Sequence, residues 1–136
     1  PDLAADVQAA VDALAEMGMY FAGCAKAGKF LVPITNAYPF LMLMSKVIMA
    51  WFLLWEAGVA KAKLDTLAKA KGADPADAAG WTAFVKNDKD AAFYTGKLSS
   101  AKYFIKNVLP EVDAAMKAIK NEDMSLLEIP EEAFAS

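Results

Sequence analysis

Three carboxylates and a scatter of lysines are the groups in this sequence that could do chemistry. Glu16, Glu56 and Glu111 are the candidates for general acid–base work. Glu56 stands out because Leu54, Trp55 and Gly58 surround it in an apolar run. Burial there would raise its pKa and equip it as a general base. The plainer reading is preferred: a polar edge facing solvent, or a partner for Lys63 or another lysine of the bundle. Glu16 and Glu111 read as solvated helix positions. Lys46 interrupts the same apolar run and either reaches an anionic ligand or carries its ammonium outward along its own stem, the second being preferred. Lys61, Lys63, Lys69 and Lys71 crowd one helix end, where a solvated site favoured by the helix dipole outweighs a phosphate or protein partner. Cys24, flanked by Phe21, Ala22 and Ala25, reads as a small buried hydrophobe, not a reactive thiol.

Absent residue types narrow the chemistry further. All 14 cations are lysine, and there is neither Arg nor His. Without guanidinium forks, sequence-specific nucleic-acid recognition is not expected. Lack of histidine removes Ser/His and Cys/His dyads and the commonest metal ligand. One cysteine forms no internal disulfide or thiolate zinc site and is compatible with a reducing cytoplasm. Gly18, Gly23, Gly58 and Gly96 make no phosphate loop and are expected to allow close helix packing. No catalytic, cofactor-binding or metal-binding residue is therefore assigned.

The elements that would position these groups are helices. Leu3, Val7, Ala10, Leu14, Met17, Phe21 and Cys24 form one seam over residues 2–29, with acids toward the start and Lys26 and Lys29 toward the end. Asp2 is the expected N-cap and Gly28 the end signal. FLVPIT, residues 30–35, reads as a connection broken by Pro33. The next helix is expected to start near Thr35 or Asn36, either of which can cap it, and to run to Gly72. Its first part, AYPFLMLMSKVIMAWFLLWEAGVA, is apolar on nearly every face. That run is long enough to span a bilayer, but Ser45, Lys46 and Glu56 interrupt it, so a central helix buried all round is preferred over a membrane span. Asp74-Pro75-Ala76-Asp77 signals a short helix near 75–86 with Trp81, Phe84 and Val85 as anchors. Asn87-Asp88 ends it, and Asp88 can cap the last long helix.

That last helix carries Tyr94, Leu98, Ala101, Ile105, Val108, Val112, Ala115 and Ile119 on one face. Pro110 sits inside it and predicts a kink near Asn107. After Asn121 the chain reads as an extended acidic tail, a strap in which Leu126, Leu127, Ile129 and Phe134 alternate with Glu128, Glu131 and Glu132. At 136 residues and 57% apolar, the chain is about one domain. The fold expected is all-α: an antiparallel bundle of three long helices plus one short helix over residues 1–121, then a tail over 122–136. The tryptophans, with Phe40, Phe52, Phe93 and Phe104, are expected to supply large buried area.

Two stretches carry a family resemblance. FYTGKLSSAKYFIKNVLPEVDA, Phe93–Ala114, resembles the last helical domain of the long acyl-CoA dehydrogenases, through Phe93, Tyr94, Lys97, Ala101, Tyr103, Phe104, Leu109 and Pro110. The run from Thr35 to Ala60 resembles that family's preceding helix through Asn36, Ala37, Pro39, Phe40, Leu41 and Trp51. In order and spacing both agree, and with residues 1–29 they cover most of the chain. The resemblance implies an intact protein that uses FAD to dehydrogenate an acyl-CoA thioester at its α,β bond. It places flavin, substrate pocket and catalytic glutamate in upstream domains and leaves this chain packing, subunit contacts or one wall near the pocket. The chain begins at Pro1 without Met and shows no signal peptide, so a fragment of a longer polypeptide, or a processed one, is expected. The enzyme is further expected to be cytoplasmic and a homo-oligomer. The alternative is a free-standing helical interaction or lipid-surface module.

Overall fold

A computed structural model describes residues 2–135. Its helices are α1 (Leu3–Lys26), α2 (Leu31–Thr35), α3 (Ala37–Lys71), α4 (Ala78–Asn87), α5 (Lys89–Tyr103) and α6 (Glu111–Lys120), with no strand among the described residues. The all-α bundle expected from the sequence is what forms. α5 and α6 are two parts of the third long rod, and α4 is the short helix. α3, about 52 Å long at 1.5 Å per residue, is the spine against which α1, α5 and α6 lie.

Caps set most of the boundaries. The Asp2 carboxylate accepts from the backbone N–H of Ala4 and Ala5 at 3.1 and 3.2 Å, and α1 ends just before Gly28, whose φ is 77°. Gly72 closes α3 in the left-handed region at φ 67°, a conformation that costs glycine nothing. Asp88 accepts from Asp90 and Ala91 N–H, both at 3.0 Å, and starts α5 as expected. Ahead of α4 the cap is Asp77, which accepts from Gly80 N–H at 3.1 Å, while Asp74 and Pro75 form the preceding turn and not the helix start.

The link before α3 departs from expectation. FLVPIT is no plain connection: its last five residues form α2, with Pro33 at the third position, where its missing N–H breaks no intrahelical bond. Thr35 and Asn36 do not cap α3 either. Their side chains donate backwards, Thr35 Oγ1 to the Leu31 carbonyl and Asn36 Nδ2 to the Val32 carbonyl, both at 2.9 Å. They finish α2 instead.

Pro110 acts through a π segment at Phe104–Val108. Leu109 N–H reaches the Phe104 carbonyl at 2.9 Å, one residue further back than in an α-helix. The widened turn lets the proline ring clear the preceding carbonyls before α6 restarts at Glu111. The π segment falls where a kink was expected, around Asn107.

The core lies where α1, the first half of α3, the π segment and α6 meet. Met17, Leu43, Ile105 and Ile119 are almost completely buried there, with Val7, Val47, Leu109 and Val112 around them. Further along α3 the buried residues shrink to Ala57, Ala60, Leu64 and Ala68, set against α5, where Ala91 and Ala101 are fully buried.

Burial of α3 on every side does not occur. Only 17% of its most apolar window is buried, although the helix is long and apolar enough to cross a membrane. Leu41, Ile48, Trp51, Phe52, Trp55 and Val59 point outward, Trp51 at 53% and Trp55 at 64% exposure. Phe93 is likewise exposed, so the aromatic residues expected to fill the interior are divided between core and surface. A rod of this diameter has neighbours on one side only, and the bundle supplies no second layer for the other. The helical glycines also fall outside expectation. A Cβ at Gly18, Gly23, Gly58 or Gly96 would meet nothing within 4 Å, so none mediates close packing within this chain.

Candidate functional site

The three candidate carboxylates are dispersed, and each is held by a lysine. Lys46 Nζ donates to Glu111 Oε2 at 2.5 Å, Lys97 Nζ to Glu56 Oε2 at 3.1 Å, and Lys120 Nζ to Glu16 Oε1. Glu56 is half-exposed and not buried in the apolar run. Its partner is a bundle lysine, as preferred from the sequence, though from α5. Glu16 and Glu111 are more than solvated positions: they tie α1 to α6 and α6 to α3. Lys46, its side chain 24% exposed, runs along its stem to the exposed Glu111 carboxylate. In the lysine-rich end of α3, Lys61 pairs with Asp65 and Lys71 with Asp88 at 3.1 Å. Among the described residues no group of three or more acids and thiols could hold a metal. Cys24 is buried, free and inert in placement.

One polar cluster escaped the sequence reading. Tyr20 O–H donates to Glu122 Oε1 at 2.8 Å and Lys29 Nζ to Glu122 Oε2 at 2.7 Å. Burial, then the bond to Glu122, pushes the Tyr20 hydroxyl pKa up. The hydrogen bond from Lys29, then that from Tyr20, holds the Glu122 carboxyl below its ordinary range. Glu122 sits at φ 51°, an unusual conformation for a residue with a Cβ. This clasp roots the acidic segment on the α1–α2 corner. Nothing in the local spacing announces it, since Tyr20 and Glu122 lie far apart in sequence.

A groove of about 350 Å³ runs between α3 and α5 at the far end of the outward stripe. Trp55, Val59, Ala60, Phe93 and Tyr94 form apolar walls, and Glu56, Lys63 and Lys97 rim it. Lys63 Nζ stands 5.9 Å from the Tyr94 ring centre and Lys97 Nζ 5.6 Å from that of Phe93, within cation–π range. Such a surface suits an apolar segment bearing carboxylates.

The residues carrying the resemblance now have places. Ala101 and Leu109 are core, and Phe104 and Phe40 pack against it. Phe93, Tyr103, Leu41 and Trp51 face outward. The sequence matches the family model described as acetyl-CoA dehydrogenase C-terminal like over residues 1–130. The chain belongs to that family. Relatives of this C-terminal domain include a butyryl-CoA dehydrogenase of Syntrophomonas wolfei, 47% identical over 45 residues, covering 33% of this chain and 7% of the relative. Another is the broad-specificity linear acyl-CoA dehydrogenase FadE5 of Mycobacterium tuberculosis, 33% identical over 95 residues, covering 70% of this chain and 13% of the relative. The C-terminal domain is thus a small part of the length of each. No solved structure gives a significant match.

The α3–α5 groove offers no helix N-terminus or glycine-rich turn of the kind that cradles phosphates in doubly wound folds. Along the groove, α3 and α5 run as unbroken helix whose N–H groups are bonded internally.

Proposed function

We propose that this chain is the accessory helical domain of an FAD-dependent acyl-CoA dehydrogenase-like oxidoreductase, giving packing or subunit contacts and no catalysis alone. The intact enzyme would dehydrogenate an acyl-CoA thioester at the α,β bond, with flavin and substrate held by its other domains. Residues 1–121 form the packing bundle and 122–136 a separate tail. The enzyme works as a homo-oligomer in the cytoplasm, and α3 does not span a membrane. Ion pairs from Lys46 and Glu56 along the flank of α3 support that last point.

One observation carries the reading: the largest apolar side chains of α3 face away from its own core. Trp51, Phe52 and Trp55 together expose an apolar stripe of the kind monomeric proteins rarely leave uncovered. The rest of the enzyme or a neighbouring subunit is the surface that covers it. Two experiments test this. The isolated chain should show no visible flavin absorbance and no dye reduction with butyryl-CoA, and stoichiometric FAD or turnover would overturn the accessory role. The coding sequence should run in frame well upstream of Pro1; a start codon adjacent to it would favour a free-standing module.

A further inference from the structure

The α3–α5 groove and the acidic segment beyond Asn121 are complementary in charge and in apolar character. Between Glu122 and Ala135 there are five acids and no cation. Leu126 and Phe134 in that segment are exposed at 65% and 73%. Across the groove, Trp55 and Phe93 are exposed walls, and Lys63 has no carboxylate within ion-pair distance among the described residues. We propose that the groove receives the acidic segment of a second copy of this chain. Glu131 and Glu132 meet Lys63 and Lys97, and Phe134 lies on Trp55 and Phe93. The inference extends the homo-oligomeric part of the proposed function and does not depend on flavin chemistry.

Reach favours a second copy over the same chain. Glu122 is clasped at the level of Phe21, whose ring stands 5.1 Å from that of Phe40. From Phe40 to Val59 along α3 is roughly 28 Å at the helical rise. Glu131 is nine steps along the chain from Glu122, which span at most about 32 Å when fully extended. The chain's own segment would need nearly that full extension even before any sideways offset. In the structure it is shortened by 3₁₀ turns at Ser125–Leu127 and Glu131–Phe134. A second copy brings the segment in without unravelling either turn. A two-fold pair satisfies both grooves at once, as an isologous contact requires.

The test mixes isotopically light and heavy chains, refolds them together from denaturant, and joins lysines to neighbouring carboxylates with a zero-length carbodiimide. Peptides linking residues 125–135 to Lys63 or Lys97 are expected, about half of them pairing a light with a heavy chain. No such peptides, or only isotopically matched ones, would overturn the proposal. Charge reversal gives an independent reading by sedimentation velocity. Lys63→Glu with Lys97→Glu, or Glu131→Lys with Glu132→Lys, should each raise the dimer Kd by about tenfold or more, and combining all four should restore it. Unchanged dimerisation in both two-residue variants, with helicity intact, would refute it. Loss of the flavoenzyme reading would leave the cross-linking outcome untouched.

Discussion

The two faces of α3 are built to opposite rules. Its inner face is made of small and aliphatic residues: Leu43, Val47, Ala50, Ala57, Ala60, Leu64 and Ala68, all buried. Its outer face holds Ile48, Trp51, Phe52 and Trp55, each at least 44% exposed. Burial of apolar area is worth about 25 cal/mol per Å², so a chain folding only for itself would put its tryptophans inside. Small residues inside bring the helices close, and large ones outside present area to something else. On the proposed reading the inner face serves folding and the outer face assembly, and substitutions on the two should separate cleanly.

The widest separation is expected from Leu43→Ala. Leu43 is 1% exposed in the only part of the described bundle where α1, α3 and α6 all converge. Truncation leaves a cavity that rigid neighbours cannot fill, and should cost about 2–5 kcal/mol in denaturant unfolding. A loss below about 1 kcal/mol would mean the core is looser than its burial implies, weakening the contrast with the outer face.

Ala101→Leu probes the other half of the inner face by the opposite perturbation. Ala101 is fully buried where α5 lies on α3. Three added carbons have nowhere to go, so overpacking should cost about 1–3 kcal/mol and spread the two helices. Loss of the Lys97–Glu56 ion pair, seen as altered Trp55 fluorescence, would accompany it. A neutral result would show the alanine seam to be spacing rather than packing.

Much of what packs onto α3 was legible in the sequence, and neither face of α3 itself. Met17, Ile105 and Ile119 declared themselves by a 3.6-residue period, and Asp2, Gly72 and Asp88 by cap chemistry, because both signals are local. Trp51 and Trp55 did not. A helix apolar all round has no phase, so periodicity cannot say which side its own chain covers. Glu56 with Lys97 and Tyr20 with Glu122 are paired by tertiary structure alone, across separations no spacing rule reaches. α2 was hidden by Pro33, a breaker within a helix but harmless in a first turn. The groove needed the fold, since its walls come from two helices and only their antiparallel contact brings Trp55 to Phe93.

Acid titration should touch the scaffold around the inner face in a defined window. Backbone N–H from Ala91, then Lys71, lowers the Asp88 pKa from 3.8, and Lys29 and Tyr20 lower that of Glu122 from 4.5. A carboxyl with a depressed folded pKa binds its proton less readily than the unfolded chain does. Its contribution is complete above the unfolded value and drains away as pH falls through the folded one. Thermal stability should thus be flat down to about pH 4.5 and decline below it. The opposite sign holds for Tyr20 and Lys29, both raised, whose contributions persist below 10.0 and 10.5 and are lost above. Asp88→Ala should lower Tm by about 3–5 °C at neutral pH and flatten the acid decline. A decline of undiminished size in that variant would move the acid sensitivity elsewhere.

The smallest effect is expected where the side chains are largest. Trp51→Ser with Trp55→Ser removes two indoles, a change that in a core would cost several kcal/mol. On the outer face the indoles are already more than half in water, and serine's lower helix propensity is a weak penalty. Unfolding of the isolated chain at low concentration should therefore shift by no more than about 0.5 kcal/mol per site. Self-association should respond in the opposite proportion, with the variant staying monomeric at concentrations where the parent chain associates through the stripe. A stability loss comparable to that of Leu43→Ala, measured where both proteins are monomeric, would place the indoles inside the folded chain's own energetics. The distinction between a folding face and an assembly face of α3 would then fall.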